Sequence, residues 1–296
     1  MHSVGILGVN GNLGKPTAQV LIKAAEQDKI KLIIFHREGK AGDFKAGKNV
    51  ELRVIDLDGP KEKVEEVVRG VNIFVSTVGV AGLGSEGVVM EALSKSPDFV
   101  TFMPAMYSTT WSKEDFADPV LGALISQLPA YTKPKELGIS ITKVYTGIFD
   151  FTFFEAGFLY APLKENSIYL NEKLSKNPLP FTTMPHLAHS IAHLVTTNTP
   201  EALKNKSYSV ITHWATGSEI KDLYAKLHGQ PAKVNEWTKE VREAKRFDST
   251  GGTGAVRVGY MDNWENESWG YEIEGRKLLD IGYKGPGLES VARQFL

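Results

Sequence analysis

An apolar run, Val4-Gly5-Ile6-Leu7, passes directly into Gly8-Val9-Asn10-Gly11-Asn12-Leu13-Gly14, and a helical pattern follows over Pro16–Gln27. A strand that turns through Gly-x-x-Gly-x-x-Gly into a helix leaves few folds open. The next strand must return parallel to the first, by a right-handed crossover, in a sheet covered on both faces. The spacing gives each glycine its own task. Gly8 permits the tight turn, Gly11 leaves the backbone open to a pyrophosphate, and Gly14 lets the helix pack close to the strand. The helix N-terminus offers free N–H groups and a partial positive charge to the anion. Asn10, Asn12 and Leu13 join the three glycines as candidate nucleotide-binding residues. The same spacing occurs in ordinary turns, and the position directly behind a strand favours the cradle.

The second strand reads as Lys31-Leu32-Ile33-Ile34-Phe35, followed by His36-Arg37-Glu38. An acid at this point would hold a ribose 2′-hydroxyl; a basic residue accommodates a 2′-phosphate. Arg37 stands about where that choice is made, and its planar guanidinium suits a phosphate. Lys45 adds a second cation. Glu38 is adjacent, so a slip of one residue reverses the reading, and the bland alternative for Arg37 and Lys45 is a solvated charge.

Further apolar runs sit at Val50–Ile55, Ile73–Val78, Phe99–Met103 and Ile139–Val144, with helical patterns at Lys61–Arg69, Gly87–Ser94 and within Asp118–Leu137. Alternation of this kind predicts a doubly wound parallel sheet with ligands outside the carboxyl ends of its strands. Beyond about residue 150 the pattern weakens into an aromatic-rich stretch, Phe149 to Tyr160. A helix is expected at Pro185–Thr196, a strand at Tyr208–Thr212, and a helix capped by Ser218. Asp248–Gly254 reads as a flexible loop. The expected architecture is α/β: a Rossmann domain over residues 1–150 and a smaller α+β lobe over residues 151–296.

Composition excludes several classes. There is no cysteine, so disulfides, thiolate nucleophiles and cysteine metal sites are ruled out. A formal net charge of −1 argues against a protein held to nucleic acid by phosphate contacts. No apolar run approaches the length of a membrane span. The first apolar run ends in Gly-Val-Asn-Gly and reads as a strand rather than a leader, so cytoplasmic residence is expected. His186, His189 and His193 share a helix face but lack nearby carboxylates, and no metal site is expected. There is neither a Gly-x-Ser-x-Gly elbow nor a P-loop.

An ordered series of motifs resembles the NmrA-like and isoflavone-reductase-like branch of the atypical short-chain dehydrogenases. It comprises Gly8–Gly14, Phe35-His36-Arg37, Val54–Asp58, Gly70–Gly79, Phe99–Pro104, and Leu137–Thr142 running to Gly147-Ile148-Phe149. The resemblance covers the first 150 residues closely and the rest loosely. It implies NADP(H) as cofactor and a C-terminal lobe that forms the substrate pocket. It also implies Asp56 and Leu57 near the adenine, and Thr77, Val78 and Gly79 along the cofactor beyond the fourth strand.

Reductases of this branch carry a lysine about eleven residues before the glycine matched by Gly138; here that position is Gln127. Glutamine can hydrogen-bond but cannot act as an acid near neutral pH. Lys133 and Tyr131 are the alternative donors. Tyr131-Thr132-Lys133-Pro134-Lys135 also spells Tyr-x-x-x-Lys, although Pro129 and Pro134 should break the helical register. Tyr107, Trp111 and Lys113 follow the fifth strand, where the pocket should lie, and Phe149 and Gln127 join them as candidate substrate contacts. Two functional classes follow: an NADPH-dependent reductase of a small aromatic or carbonyl-containing molecule, or a non-catalytic NADP(H)-sensing regulator with a protein partner. The sequence does not indicate an oligomeric state.

Overall fold

The computed structural model describes residues 1–248, 253–269 and 276–296. Strands β1 (Ser3–Leu7), β2 (Lys31–His36), β3 (Val50–Val54), β4 (Ile73–Ser76) and β5 (Thr101–Met103) form one parallel sheet in the order β3-β2-β1-β4-β5. Helices α1 (Gly14–Glu26), α2 (Lys61–Val67) and α3 (Glu86–Ser94) make the crossovers. The strand order reverses between β1 and β4, which places a ligand crevice at their carboxyl ends.

The apolar runs are explained by burial on both faces. Ile6, Ile34 and Val75 pack on one side, against Ala18 and Leu21 of α1. Leu7, Ile33 and Phe35 pack on the other, against Val64, Val89 and Leu93 of α2 and α3. There Phe35, Phe74 and Phe102 lie in file with ring centroids 5.3 Å apart at each step.

After β5 come α4 (Lys113–Ala117), α5 (Leu121–Ile125), α6 (Pro129–Leu137) and β6 (Lys143–Thr146). Two expectations need correction. First, α6 continues through Pro134. It starts with Pro129 at its first turn, where a missing N–H costs nothing, and ends at Gly138 in the left-handed region (φ 65°). Second, Ile139–Val144 is not one strand. Ser140 and Thr142 bond to Phe102 of β5, whereas Lys143–Thr146 pairs with a later strand, so the backbone changes partner midway.

The remainder runs β7 (Ile148–Phe149), α7 (Asp150–Phe154), β8 (Ser167–Leu170), α8 (Glu172–Lys176), β9 (Pro178–Thr182), α9 (Met184–Thr197), α10 (Pro200–Leu203) and β10 (Ser207–Val210). It continues with β11 (His213–Thr216), α11 (Gly217–His228), β12 (Lys233–Glu236), α12 (Lys239–Arg246), α13 (Thr253–Glu265), β13 (Arg276–Leu278) and α14 (Leu288–Ala292). This part re-enters the first body. Strand β10 pairs parallel with both β6 and β13, and Leu187, Ile191 and Val195 of α9 join the core beside α1. A second core forms around Phe153, Phe154, Phe181, Tyr224 and Trp264.

Two local details differ from the sequence reading. The cap of α11 is Thr216, not Ser218: its hydroxyl accepts from Glu219 N while the Glu219 carboxylate accepts from Thr216 N, a reciprocal capping box. Of the expected loop at Asp248–Gly254, residues 249–252 lie outside the described residues. Thr253 and Gly254 open α13, with Gly254 packed against the Lys245 carbonyl.

Candidate cofactor and substrate site

The three glycines of the turn are held by different forces. A Cβ on Gly8 (φ +91°) would lie 2.6 Å from the Thr77 backbone, and one on Gly14 would lie 2.0 Å from the Gly8 carbonyl oxygen. Both positions are closed by the protein itself. A Cβ on Gly11 would meet only Gly8 O at 3.4 Å and Thr77 O at 3.7 Å, ordinary contacts. Nothing inside the fold requires Gly11, and its outer side is exposed together with Asn10 and Asn12. That is what a close approach of a ligand to the backbone demands. The turn closes through Gly11 N to Gly8 O at 3.0 Å, and α1 then begins at Gly14, with Leu13 at the N-cap and no side-chain cap. The uncapped first turn faces the same space.

The loop after β2 is docked onto this turn. Asn10 Nδ2 donates to Lys40 O at 2.8 Å, and Lys40 N donates to Arg37 O at 2.9 Å. Arg37 and Lys45 are exposed and form no side-chain hydrogen bond or ion pair among the described residues. Farther along the edge, Asp56 accepts from Asp58 N at 3.1 Å, and Leu57 is half-buried under the sheet. Thr77 is tied to the end of β1, its hydroxyl donating to Leu7 O at 2.7 Å, and leads into half-buried Val78 and exposed Gly79. The candidate cofactor residues therefore follow one another along the carboxyl ends of β3, β2, β1 and β4.

The candidate substrate and donor residues are not gathered in the same way. Tyr107 is buried and its hydroxyl donates to Ser76 O at 2.9 Å, so it lies beneath the strand ends rather than free in a pocket. Gln127 lies exposed between α5 and α6, its amide turned back onto Ala123 O at 2.8 Å. Lys113 is exposed at the start of α4. Phe149 stacks on Phe151 at 5.9 Å, and Trp111 meets Tyr260 edge-on at 5.1 Å.

Tyr131 and Lys133 point apart. The Lys133 ammonium is bound by Glu91 at 2.8 Å and Glu136 at 2.9 Å, on the side of α6 that faces α3. Its hydrogen bonds to the two carboxylates push its pKa up. Tyr131 packs edge-on to Phe116 at 5.0 Å, and burial pushes its phenol pKa up, with smaller contributions from Tyr145 and Tyr260. Lys135 is exposed. Tyr131 and Lys133 do not form a dyad. Among the described residues no histidine, aspartate and glutamate group could hold a metal ion, and no helix is long and apolar enough to cross a membrane. His186 instead stacks on Tyr283 at 4.6 Å.

Two features had not been nominated from the sequence. Glu86, first residue of α3, is buried and its carboxylate accepts from Ala105 N at 2.7 Å, joining the loops that follow β4 and β5. Desolvation raises its pKa. The second is Arg276 at the start of β13, whose guanidinium lies 3.7 Å from the centre of the Tyr145 ring. Neither has a sequence signature beyond a charge beside an apolar run.

The sheet order and the turn at the switch point define a Rossmann-type α/β protein with a phosphate-cradle geometry. More particularly, the chain has the fold of the isoflavone-reductase-like branch of the atypical short-chain dehydrogenases, as the sequence motifs led one to expect. An isoflavone reductase superposes with a TM-score of 0.74 at 14% identity, over 100% of this chain and 99% of that one. AtPrR2, solved with NADP+ and (+)-pinoresinol, gives 0.76 at 14% identity over 100% and 98%. The Citrobacter sp. triphenylmethane reductase, complexed with NADP(H), gives 0.66 at 18% identity over 99% and 100%. No protein-family model and no curated protein sequence matches the chain.

Proposed function

We propose that this protein is an NADPH-dependent reductase of a small aromatic or carbonyl-containing molecule. The observation that carries the reading is Gly11, which the fold leaves open while closing the flanking glycines at Gly8 and Gly14. In this reading the turn and the start of α1 hold the pyrophosphate. Arg37 and Lys45 take the 2′-phosphate, and Asp56 and Leu57 flank the adenine. Thr77, Val78 and Gly79 line the nicotinamide half. The bound cofactor supplies the hydride, and the protein supplies orientation and a proton. Tyr131 is the proposed donor: its phenol is protonated in the neutral range, and the pKa that burial raises has to fall when cofactor and substrate bind for the proton to be given up efficiently. The neighbours solved with NADP+ or NADP(H) support the choice of cofactor.

A second reading, a sensor that binds NADP(H) without turnover and signals to a protein partner, is favoured by Gln127 and Lys133. The first is neutral and turned onto Ala123; the second is occupied by two carboxylates. Steady-state NADPH oxidation over a panel of aromatic ketones, enones and benzylic ethers separates the two. The reductase reading expects turnover that Tyr131→Phe abolishes with little change in NADPH affinity. NADPH binding without turnover on any member of the panel would move the assignment to the sensor.

A further inference from the structure

Arginines in the second half of the chain are neutralised or spent on backbone. Arg246 pairs with Asp118 and Arg242 with Asp262. Arg257 donates to the carbonyls of Gly157 and Phe158. Arg276 is different. Its Nη2 donates to the Thr110 hydroxyl at 2.7 Å, and its face covers the Tyr145 ring. Its Nε and Nη1 are buried and have no hydrogen-bond partner among the described residues, and it forms no ion pair there. Burial pulls its pKa down from the ordinary arginine value, with the Tyr145 hydroxyl opposing the shift. A half-buried guanidinium with two buried N–H-bearing nitrogens and no ion-pair partner among the described residues is a costly arrangement, and it is relieved when an anion arrives.

The surroundings say what kind of anion. Thr110 belongs to the loop after β5 and is followed by Trp111, which meets Tyr260 edge-on at 5.1 Å. Burial raises the Tyr260 phenol pKa, and Ser108 and the Thr109 backbone oppose that shift. Tyr145 sits near the end of β6. The cation therefore lies on the Tyr145 ring and is tied to the loop that carries Thr110 and Trp111. A guanidinium with unspent N–H groups matches a planar carboxylate, and rings accept a flat apolar body.

We infer that Arg276 is an anion subsite and that the molecule recognised here is an aromatic carboxylate. The inference rests on the proposed function, whose substrate class it narrows.

The test is calorimetric titration of the NADPH-loaded protein with cinnamate and with uncharged cinnamamide. Cinnamate should bind about tenfold or more tightly than the amide. Arg276→Met should erase that preference while NADPH affinity stays unchanged, and millimolar inorganic phosphate should not displace cinnamate. Equal binding of acid and amide, binding of neither, or an Arg276→Met protein that keeps the preference would overturn the inference. Displacement by phosphate would do the same, since the subsite would then serve a free anion. The chain carries Glu272 and Glu274 just before Arg276. Cinnamate binding seen only in the Glu272→Gln, Glu274→Gln protein would mean that the cation is neutralised from within, and would also defeat it. The comparison of acid with amide on the native protein needs no variant to fold. Failure of the native protein to bind NADPH at all would instead strike the reductase proposal, so the two failures are distinguishable.

Discussion

The Lys133 ammonium lies 2.8 Å from the Glu91 carboxylate, bridging α6 to α3 on the face of the sheet away from α1. Tyr131, two residues earlier, looks the other way, toward Phe116, Tyr145 and Tyr260. This divergence separates a structural lysine from a candidate donor. Lys133→Ala should leave NADPH oxidation within about twofold of native, because its ammonium is held by Glu91 and Glu136 on the side of α6 away from Tyr131. Tyr131→Phe should reduce turnover by about 10²-fold or more, the usual scale for a positioned acid. Gln127→Lys should not raise turnover, since that side chain lies exposed and bonded to Ala123. The reverse pattern, with Lys133 essential and Tyr131 dispensable, would exchange their roles.

Arg37 should set the cofactor preference. Its backbone is held beside the glycine turn through Lys40 and Asn10, and its exposed guanidinium is free to meet a 2′-phosphate. Arg37→Ala should weaken NADPH binding by about 1.5–3 kcal/mol, the range for a hydrogen bond to a charged group, with NADH affinity nearly unchanged. Equal losses for the two cofactors in parallel titrations would remove the 2′-phosphate from the assignment.

Glu86 should make stability fall as pH rises. Its folded pKa is raised by desolvation, so between the ordinary carboxylate value and the raised one the folded protein holds a proton that the unfolded chain has lost. The penalty for ionising it therefore grows as pH rises above about 4.5 and is fully present once the pH exceeds the raised value. Glu86→Gln keeps an acceptor for Ala105 N without the buried charge. It should raise stability at pH 8 by about 1 kcal/mol, a few degrees in Tm, with a smaller gain at pH 5. Thermal melts at the two pH values check this; an unchanged or lower Tm at pH 8 counts against a buried carboxylate.

Much of this molecule can be read from short-range signals. Gly14 announces the turn because it is closed by Gly8 within one strand–turn–helix unit, and Gly8 by its left-handed backbone (φ +91°), although its closure by Thr77 comes from a segment some seventy residues later. The runs at Ile6, Ile34 and Phe74 announce a sheet buried on both faces. The cap at Thr216 was also present, as Thr-x-x-Glu, but Ser218 masked it. What could not be read depends on partners distant in the chain. Whether Ile139–Val144 stays with β5 or leaves it depends on Ser207–Val210, some sixty residues later, which draws Lys143–Thr146 away. The direction of Lys133 depends on where α3 places Glu91. Arg276 stands in no periodic pattern; its meaning comes only from Tyr145 and Thr110 beside it.

The central claim is that the turn at Gly8–Gly14 holds a dinucleotide against the backbone of Gly11, and one titration tests it most directly. Calorimetry with NADPH should give saturable binding to the native protein. Gly11→Val should lower that affinity by about a hundredfold or more, roughly 2.7 kcal/mol, while circular dichroism and Tm stay near native, because a Cβ there meets nothing closer than 3.4 Å. A folded Gly11→Val protein that binds NADPH as tightly as native would contradict the account, as would a native protein that binds none.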